Sequence, residues 1–279
     1  MYLADYHTHT LCSPDARNSM AEMAAAAAEA GLDEICFTDH VEPLEWNMTV
    51  LRTADHDWAP AVRAFAEAGA SAGGAVRLRL GAELGDAPWD FAWAERQLER
   101  APDLDCVIGS IHSLPPPADC NLALFSPAGE TEALAGLSDY LRQVERMVRW
   151  GKFQVVGHLT LPLRYLNERR GFHLTFDGFE AEIEAILRLA AEKGLGIEVN
   201  TNHGKSFLPD GKWLRMYRQL GGEIITLGSD AHRVSDVGYA IREGQELLAG
   251  VRLPALLHLD RGEPVWHHAV NCIFLKQAL

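Results

Sequence analysis

The sequence predicts an α/β fold, a barrel of seven parallel strands related to the (β/α)8 type. Short apolar runs alternate strictly with helical patterns, which is typical of a parallel sheet. Seven such units fill a chain of 279 residues, a length suited to one large barrel. Long loops follow the fourth, fifth and sixth strands, at the end where barrel enzymes build their sites. An open, doubly wound sheet satisfies the same alternation and is the alternative.

Seven short apolar runs are predicted as strands. In chain order they are 3–7, 34–40, 76–84, 105–112, 153–159, 195–200 and 223–232. The first run leads into DYHTHT, residues 5–10. Because the side chains of a strand alternate between its two faces, we expect Asp5, His7 and His9 to point the same way. Three polar groups on one face of this strand require partners from elsewhere in the chain.

Six helical patterns separate these strands. They cover 19–31, 57–74, 89–101, 133–151, 177–194 and 212–222. In the first, Ser19 and Glu22 have the spacing of a capping box, and Gly31 is placed to end the helix. The fifth carries Asp177 and Glu180 at its start. The alternation therefore holds along the chain up to the seventh strand.

Three long connections and a C-terminal extension complete the predicted organisation. The connections are 113–130, 160–176 and 201–211. We interpret 1–279 as one barrel domain in which 250–279 is an extension, with a hairpin around Arg261 and Gly262. His267 and His268 in this extension are interpreted as surface or interface residues. The oligomeric state is not predicted.

Charge and cysteine usage exclude several classes of protein. The formal net charge is −14, from 25 basic and 39 acidic residues. Such a surface repels nucleic acid and anionic membranes, and no run of Lys and Arg offers a track for a phosphate backbone. The five cysteines form no CxxC pair, which favours a reducing compartment. Without a signal-peptide pattern or an apolar stretch approaching the ~20 residues of a membrane span, we expect a cytoplasmic protein.

Potential metal ligands stand at the carboxyl ends of six of the seven predicted strands. They are His7 and His9, Asp39 and His40, Glu83, His112, His158, and Asp230 with His232. The carboxyl ends of the strands of a parallel barrel meet at one face, so these side chains are expected to converge. Imidazole and carboxylate are the ligands that borderline divalent metals prefer. The sequence therefore predicts a metal site, and His7 and His9 share a face because both point into it.

Seven motifs give the chain a resemblance to a known family. They are DYHTHTLCSPDA, EICFTDH, GAELG, SIHS, GHL, EVNT and GSDAH, spread over about residues 4–240. In order and spacing they resemble the polymerase-and-histidinol-phosphatase (PHP) superfamily, and its histidinol-phosphatase branch in particular. The resemblance implies a distorted (β/α)7 barrel, similar to a TIM barrel, that carries three divalent metal ions. The metal could be Zn, Mn or Fe.

The resemblance also implies which residues hold each ion. One ion would be held by His7, His9, Glu83 and Asp230. Glu83 would bridge to a second ion, held also by His112 and His158. The third would be held by Asp15, His40 and His232. At one position the chain departs from the family, which often has an Asp two residues after the histidine of the fifth strand. Thr160 stands there, which puts in doubt any contact with a substrate ammonium group at that position.

The chemistry expected of such a site is hydrolysis of a phosphate monoester. The resemblance implies histidinol phosphate as the substrate and a role in histidine biosynthesis. Metal ions about 3.5–4 Å apart can supply a hydroxide and clamp the phosphoryl oxygens, which reconciles a phosphate substrate with an acidic chain. Besides Asp230 and His232, the catalytic candidates are Arg164 and Arg233, which could make forked contacts to phosphate. Asp5 and Asn200 are expected to contact the metal ligands and orient them without binding an ion themselves.

Other chemistries fit less well. The sequence has no GxSxG motif for a nucleophilic serine and no glycine-rich phosphate loop. A phosphodiesterase or exonuclease could use the same metal core, although no basic track for a nucleic acid is present. The same residues would also suit a phosphatase for another small phosphate ester, or a barrel that binds a metal or a partner without catalysis. A small phosphorylated substrate is therefore the expected partner, with no nucleic acid and no membrane.

Overall fold

The computed structural model describes residues 2–251, 255–260 and 263–268. The strands are β1 (Ala4–Thr8), β2 (Glu34–Phe37), β3 (His40–Val41), β4 (Arg77–Gly85), β5 (Cys106–Ser110), β6 (Ser113–Leu114), β7 (Cys120–Asn121), β8 (Val155–Val156), β9 (Gly196–Asn200), β10 (Ile225–Gly228), β11 (Ala255–Asp260) and β12 (Glu263–His268). The helices are α1 (Met20–Glu29), α2 (Ala59–Ala72), α3 (Phe91–Glu99), α4 (Glu130–Trp150), α5 (Glu180–Glu192), α6 (Gly211–Gln219) and α7 (Ile241–Gly250).

The main sheet is a nearly closed parallel barrel. Its hydrogen-bonded order is β1-β2-β4-β5-β8-β9-β10, and β3 pairs with β4 just beyond the end of β2. The two outer strands meet at their carboxyl ends, where the backbone N–H of Asp230 donates to His7 O and that of His9 donates to Ala231 O, both at 2.8 Å. The predicted seven-stranded barrel is thus confirmed, and the open doubly wound sheet is excluded.

The second predicted strand, 34–40, is interrupted in the structure. It divides into β2 and β3, because Asp39 between them turns its carboxylate to Thr10, accepting from its backbone N–H and its hydroxyl at 2.7 Å each. Pairing resumes at His40, which lies opposite Glu83 in the ladder. The interruption therefore places an imidazole beside the carboxylate at the end of β4.

Apolar side chains of the strands and helices fill the interior of the fold. Ile35, Ile108 and Ile197 on the strands are fully buried, and so is Met23 on α1. Burying an aliphatic side chain of this size stabilises the fold by about 1.5–3 kcal/mol. At the start of α1, Ser19 and Glu22 form the predicted capping box.

Several barrel strands are shorter than predicted at their carboxyl ends. β5 ends at Ser110, β8 at Val156 and β10 at Gly228, so His112, His158, Asp230 and His232 lie in the segments that follow. Asp230 has a φ of 59°, in the left-handed region that an L-residue adopts at a cost. Such a turn breaks the period-two pattern, which is why the sequence prediction extended the strands too far.

The long connections contain short elements of their own. β6 and β7 pair antiparallel within 113–130, the connection 160–176 holds a π-helical segment at Arg164–Arg169, and 201–211 holds a 3-10 turn at Asn202–Gly204. Near the C-terminus β11 and β12 pair antiparallel, so the predicted hairpin is confirmed, although residues 261–262 lie outside the described part. No helix in the described part is long and apolar enough to span a membrane.

Candidate metal centre

A buried carboxylate, Glu83, stands at the middle of a cluster of imidazoles at the carboxyl end of the barrel. Its Oε1 lies 2.8 Å from His158 Nε2 and 3.1 Å from His112 Nε2. Its Oε2 lies 3.0 Å from His40 Nδ1. The side chain of Glu83 is 1% exposed, so protein groups enclose it, these imidazoles among them. One carboxylate thus contacts residues from several strand ends.

The HxH pair and Asp230 face the same carboxylate from the other side. His7 Nε2 lies 3.3 Å from Glu83 Oε1 and 3.8 Å from Asp230 Oδ1. His9 Nε2 lies 3.4 Å from Asp230 Oδ1 and 3.6 Å from Glu83 Oε2. These separations allow an ion to sit among the four groups. The shared face that alternation predicted for His7 and His9 is present.

Asp15, His40 and His232 form the outer part of the cluster. His232 Nε2 lies 2.9 Å from Asp15 Oδ2, and His40 Nε2 lies 3.8 Å from Asp15 Oδ1. The His9 ring stacks on both imidazoles, with centroid distances of 4.3 Å to His40 and 4.2 Å to His232. The structure therefore brings all nine predicted ligands together, including Asp15, for which local sequence alone gave no reason.

Four triads of donor atoms within the described residues are compact enough to hold an ion, each with its atoms within 4.8 Å of one another. They are His7-His9-Asp230, His7-Glu83-His158, His40-Glu83-His112 and His9-His40-His232. The fit is supported by the Nε2 atoms of His7 and His9, which are buried and have no hydrogen-bond partner. A buried polar atom without a partner is costly, and a divalent ion would satisfy both nitrogens.

For Glu83 and His9 the electrostatics favour the form that binds metal. Burial raises the pKa of Glu83, but the charges of His7, His112 and His40 outweigh it and hold that pKa well below its usual range. Burial lowers the pKa of His9 far below normal, and His232 and His40 lower it further. Glu83 is therefore a carboxylate and His9 a neutral imidazole, and both are the forms that coordinate metals.

Two buried glutamates that the sequence reasoning missed hold the ligand imidazoles in place. Glu198 Oε1 lies 2.7 Å from His7 Nδ1, and its Oε2 accepts from the backbone N–H of His158 at 2.6 Å. Glu42 Oε1 lies 2.6 Å from His112 Nδ1. Alternation could have found Glu198, since it lies two residues before Asn200 on the same face of β9. Carboxylates behind imidazoles fix their tautomer and orientation.

A third support reaches His9 through a hydroxyl group. Ser13 Oγ lies 3.2 Å from His9 Nδ1 and donates to Asp39 Oδ1 at 2.6 Å. Asp39, a strand-end carboxylate in the sequence, is thus occupied by Ser13 and Thr10 and lies behind the cluster. Asp39 is therefore placed to orient His9 through the hydroxyl of Ser13.

Asp5 and Asn200, which were predicted to orient the ligands, form hydrogen bonds with groups other than the imidazoles. Asp5 accepts from the backbone N–H of Ser229 at 2.8 Å and from its hydroxyl at 2.5 Å, which anchors the backbone next to Asp230. Asn200 Oδ1 accepts from Arg164 Nη2 at 2.8 Å. Each is buried, and each contacts a neighbour of the cluster.

The two candidate arginines differ in their surroundings. Arg164 is largely buried and donates to Asp230 Oδ2 through Nη1 at 2.8 Å and to Asn202 Oδ1 through Nε at 2.7 Å. Arg233 is about half exposed, and its Nε lies 3.3 Å from Asp236 Oδ2. Both line the cavity of about 390 Å³ that opens above the cluster. Arg164 contacts a candidate ligand directly, whereas Arg233 stands at the rim.

Thr160 does not face this cavity. It is 2% exposed and is absent from the residues that line the cavity, although His158 and Leu161 on either side line it. The wall instead includes Trp46, whose ring centroid lies 5.1 Å from that of His40. At the position where the family often has an Asp, Thr160 is therefore buried and is not part of the cavity wall.

Comparisons with known proteins match this chain to one family. The family model of the PHP domain matches residues 5–202. A probable histidinol-phosphatase of Deinococcus radiodurans is 31% identical over 242 residues, covering 85% of this chain and 89% of the relative. A probable phosphatase of Vibrio campbellii is 30% identical over 246 residues, covering 84% and 79%.

A solved structure shares the fold. The crystal structure of histidinol phosphate phosphatase from Lactococcus lactis, complexed with zinc, L-histidinol and phosphate, superposes with a TM-score of 0.77 at 21% identity. The match covers 94% of this chain and 98% of that one. At this identity the likeness establishes the shared barrel architecture.

Proposed function

The chain belongs to the PHP domain family, and we propose that it is a metal-dependent phosphatase that hydrolyses small phosphate monoesters at three divalent ions. The observation that carries this proposal is the convergence of nine ligand side chains around the buried carboxylate of Glu83. The first ion would be held by His7, His9, Glu83 and Asp230, the second by Glu83, His112 and His158, and the third by Asp15, His40 and His232. Zinc, manganese and iron all suit this donor set.

Divalent ions at such a centre activate water at neutral pH and neutralise the charge of the phosphoryl oxygens. The role of the protein is to hold the ligands rigidly and to keep the carboxylates ionised. Glu198 and Glu42 fix the rings of His7 and His112 so that their Nε2 atoms face the centre. Arg164, held by Asp230 and Asn202, keeps N–H groups that are free to donate to a phosphoryl oxygen. Such a contact strengthens as charge develops in the transition state.

Histidinol phosphate is the substrate we propose to test first, with a role in histidine biosynthesis and a cytoplasmic location. The proposal is supported by the relative from Deinococcus radiodurans, which carries the name histidinol-phosphatase. The relative from Vibrio campbellii is named only as a phosphatase, and that name gives no substrate. The binding partner is then a small phosphate ester, and no nucleic acid is involved.

The test is hydrolysis by protein loaded with zinc, manganese or iron in separate samples. Release of phosphate should be measured from histidinol phosphate and from a panel of other small monoesters. Single-stranded DNA should stay intact in the same samples. Degradation of the DNA without hydrolysis of any monoester would replace the proposal with a phosphodiesterase or exonuclease.

A further inference from the structure

The cavity above the candidate metal centre is rich in arginine. Arg17, Arg164, Arg169 and Arg233 all line it, in a chain whose formal net charge is −14. Apart from the candidate metal ligands, Asp236 is the single carboxylate on its wall within the described residues. With the ligand carboxylates taken up by the proposed ions, four arginines thus stand against one carboxylate on this wall, and such a field attracts anions.

Two of these arginines are already paired with carboxylates, and two are not. Arg164 pairs with Asp230, and Arg233 with Asp236. Within the described part of the chain, no carboxylate lies within ion-pair distance of Arg17 or Arg169. Their charges are therefore available to a bound molecule.

Arg169 is held in a position suited to binding. It closes the π-helical segment that begins at Arg164, and π-helical turns are frequent at functional sites. Its guanidinium carbon lies 4.7 Å from the centroid of the Tyr165 ring, and Tyr165 also lines the cavity. Stacking on an aromatic face restricts the guanidinium while its N–H groups, which lie in its plane, stay free to donate.

The phosphoryl group of a substrate does not require this additional charge, because the proposed ions and Arg164 already neutralise it. Since Asp236 already pairs with Arg233, Arg17 and Arg169 are, among the described residues, the unpaired charges on this wall beside the proposed ions. We propose that the cavity also accepts phosphate monoesters with a second anionic group, a carboxylate or a second phosphate, and that Arg169 binds that group. This inference rests on the proposed phosphatase function, and it makes Arg169 a residue that determines specificity.

The kinetic test compares two esters of nearly the same shape. 3-Phosphoglycerate has a carboxylate where glycerol 3-phosphate has a neutral hydroxymethyl group. We expect kcat/KM of the metal-loaded protein to favour 3-phosphoglycerate by about tenfold, the effect of one charge-assisted contact. Arg169→Gln should reduce this ratio to near one, chiefly through KM, because the second anion is bound equally before and during the reaction. Arg169→Lys should give an intermediate ratio, since it keeps the charge without the fork.

A matched control removes a positive charge elsewhere. Arg188→Gln alters an exposed arginine on α5 that pairs with Glu184 and is not among the residues that line the cavity. In this variant the ratio of kcat/KM for 3-phosphoglycerate to kcat/KM for glycerol 3-phosphate should be the same as in the unchanged protein. The inference is overturned if the unchanged protein shows no preference for 3-phosphoglycerate, or if Arg169→Gln keeps the preference.

A binding test separates this inference from the proposed function. 3-Phosphonopropionate and propylphosphonate cannot be hydrolysed and differ by the carboxylate, and 1,2-ethanediylbisphosphonate replaces that carboxylate with a second phosphonate. Calorimetry should show about tenfold tighter binding of at least one doubly anionic compound, lost in Arg169→Gln, and the tighter of the two identifies the preferred anion. If neither ester is hydrolysed while this binding difference persists, the phosphatase proposal fails and the anion site stands. Equal binding of all three compounds would refute the anion site.

Discussion

His7 Nδ1 lies 2.7 Å from Glu198 Oε1, and both side chains are fully buried. The carboxylate accepts the hydrogen on Nδ1, so Nε2 is the atom left to bind an ion beside Glu83 and Asp230. We predict that Glu198→Gln lowers metal affinity and kcat/KM by about 10–100-fold, the usual effect of removing such a support. Metal titration and steady-state kinetics measure both. Glu184→Gln, on the exposed surface of α5, is the control and should change neither.

Removing the carboxylate of Glu83 should cost the two ions that it bridges. Protein purified without chelator and supplied with metal is expected to hold more than two equivalents, and Glu83→Gln about one. The remaining ion would be the one at Asp15, His40 and His232. Elemental analysis of both proteins gives these numbers, with Glu95→Gln, which alters a partly buried carboxylate that pairs with Lys152, as the matched control. A single equivalent in the unchanged protein under replete conditions would rule out the trinuclear centre.

Arg164 and Arg233 are expected to differ in their effect on catalysis. We predict that Arg164→Ala lowers kcat by about 10²–10³, since it removes a buried donor that acts on charge developing in the transition state. Arg164→Lys should restore part of it, because the charge returns without the fork. Arg233→Ala should have the smaller effect, because that side chain is half exposed and pairs with Asp236. Metal content must be measured alongside, since Arg164 contacts Asp230. Full kcat/KM in both Ala variants would mean that neither arginine touches the phosphate.

Loading of the third ion should depend on pH. Burial lowers the pKa of His232, but Asp15 and Asp230 outweigh it and raise that pKa to about 9 in the metal-free protein. An ion must displace this proton, so zinc affinity at this position should rise from pH 7 to pH 9 and level off above. The pairing of protonated His232 stabilises the metal-free fold below pH 6.5, and this contribution is lost as pH rises through about 9. Competition with a chromophoric chelator and thermal melts at pH 7, 8 and 9 measure the two trends.

Asp15→Asn provides the comparison for this pH dependence. Without the negative charge at Asp15, the pKa of His232 falls, and both trends should flatten. If zinc affinity in the unchanged protein is the same at pH 7 and pH 9, protonation of His232 does not oppose binding.

The barrel and the convergence of the strand-end ligands could be predicted because both follow from periodicity, whereas Asp15 was predicted from the family resemblance alone. Alternation of strands and helices gives the parallel sheet, and strand-end polar residues give the cluster. The supports could not be predicted as readily. Alternation places Glu198 on the face of Asn200 but does not pair it with His7, and Glu42 is identified only by its contact with His112. The strands were also predicted to end too far along the chain, because the turn at Asp230, with its positive φ, follows no periodic rule. The pairing of Arg164 with Asp230 links residues 66 positions apart, beyond any local pattern.

The contact between β1 and the end of β10 has a consequence for the order in which the protein folds and binds metal. Asp5 is bound by Ser229, 224 residues later, and His7 by the backbone of Asp230. During synthesis on the ribosome β1 can pair with β2 early, yet the contacts of His7 with Glu198 and of His9 with Asp230 wait until nearly the whole barrel has been made. Closing so long a loop comes late in folding. The ions should therefore bind after the chain is complete and stabilise the closed barrel. Partly synthesised chains should bind them only weakly.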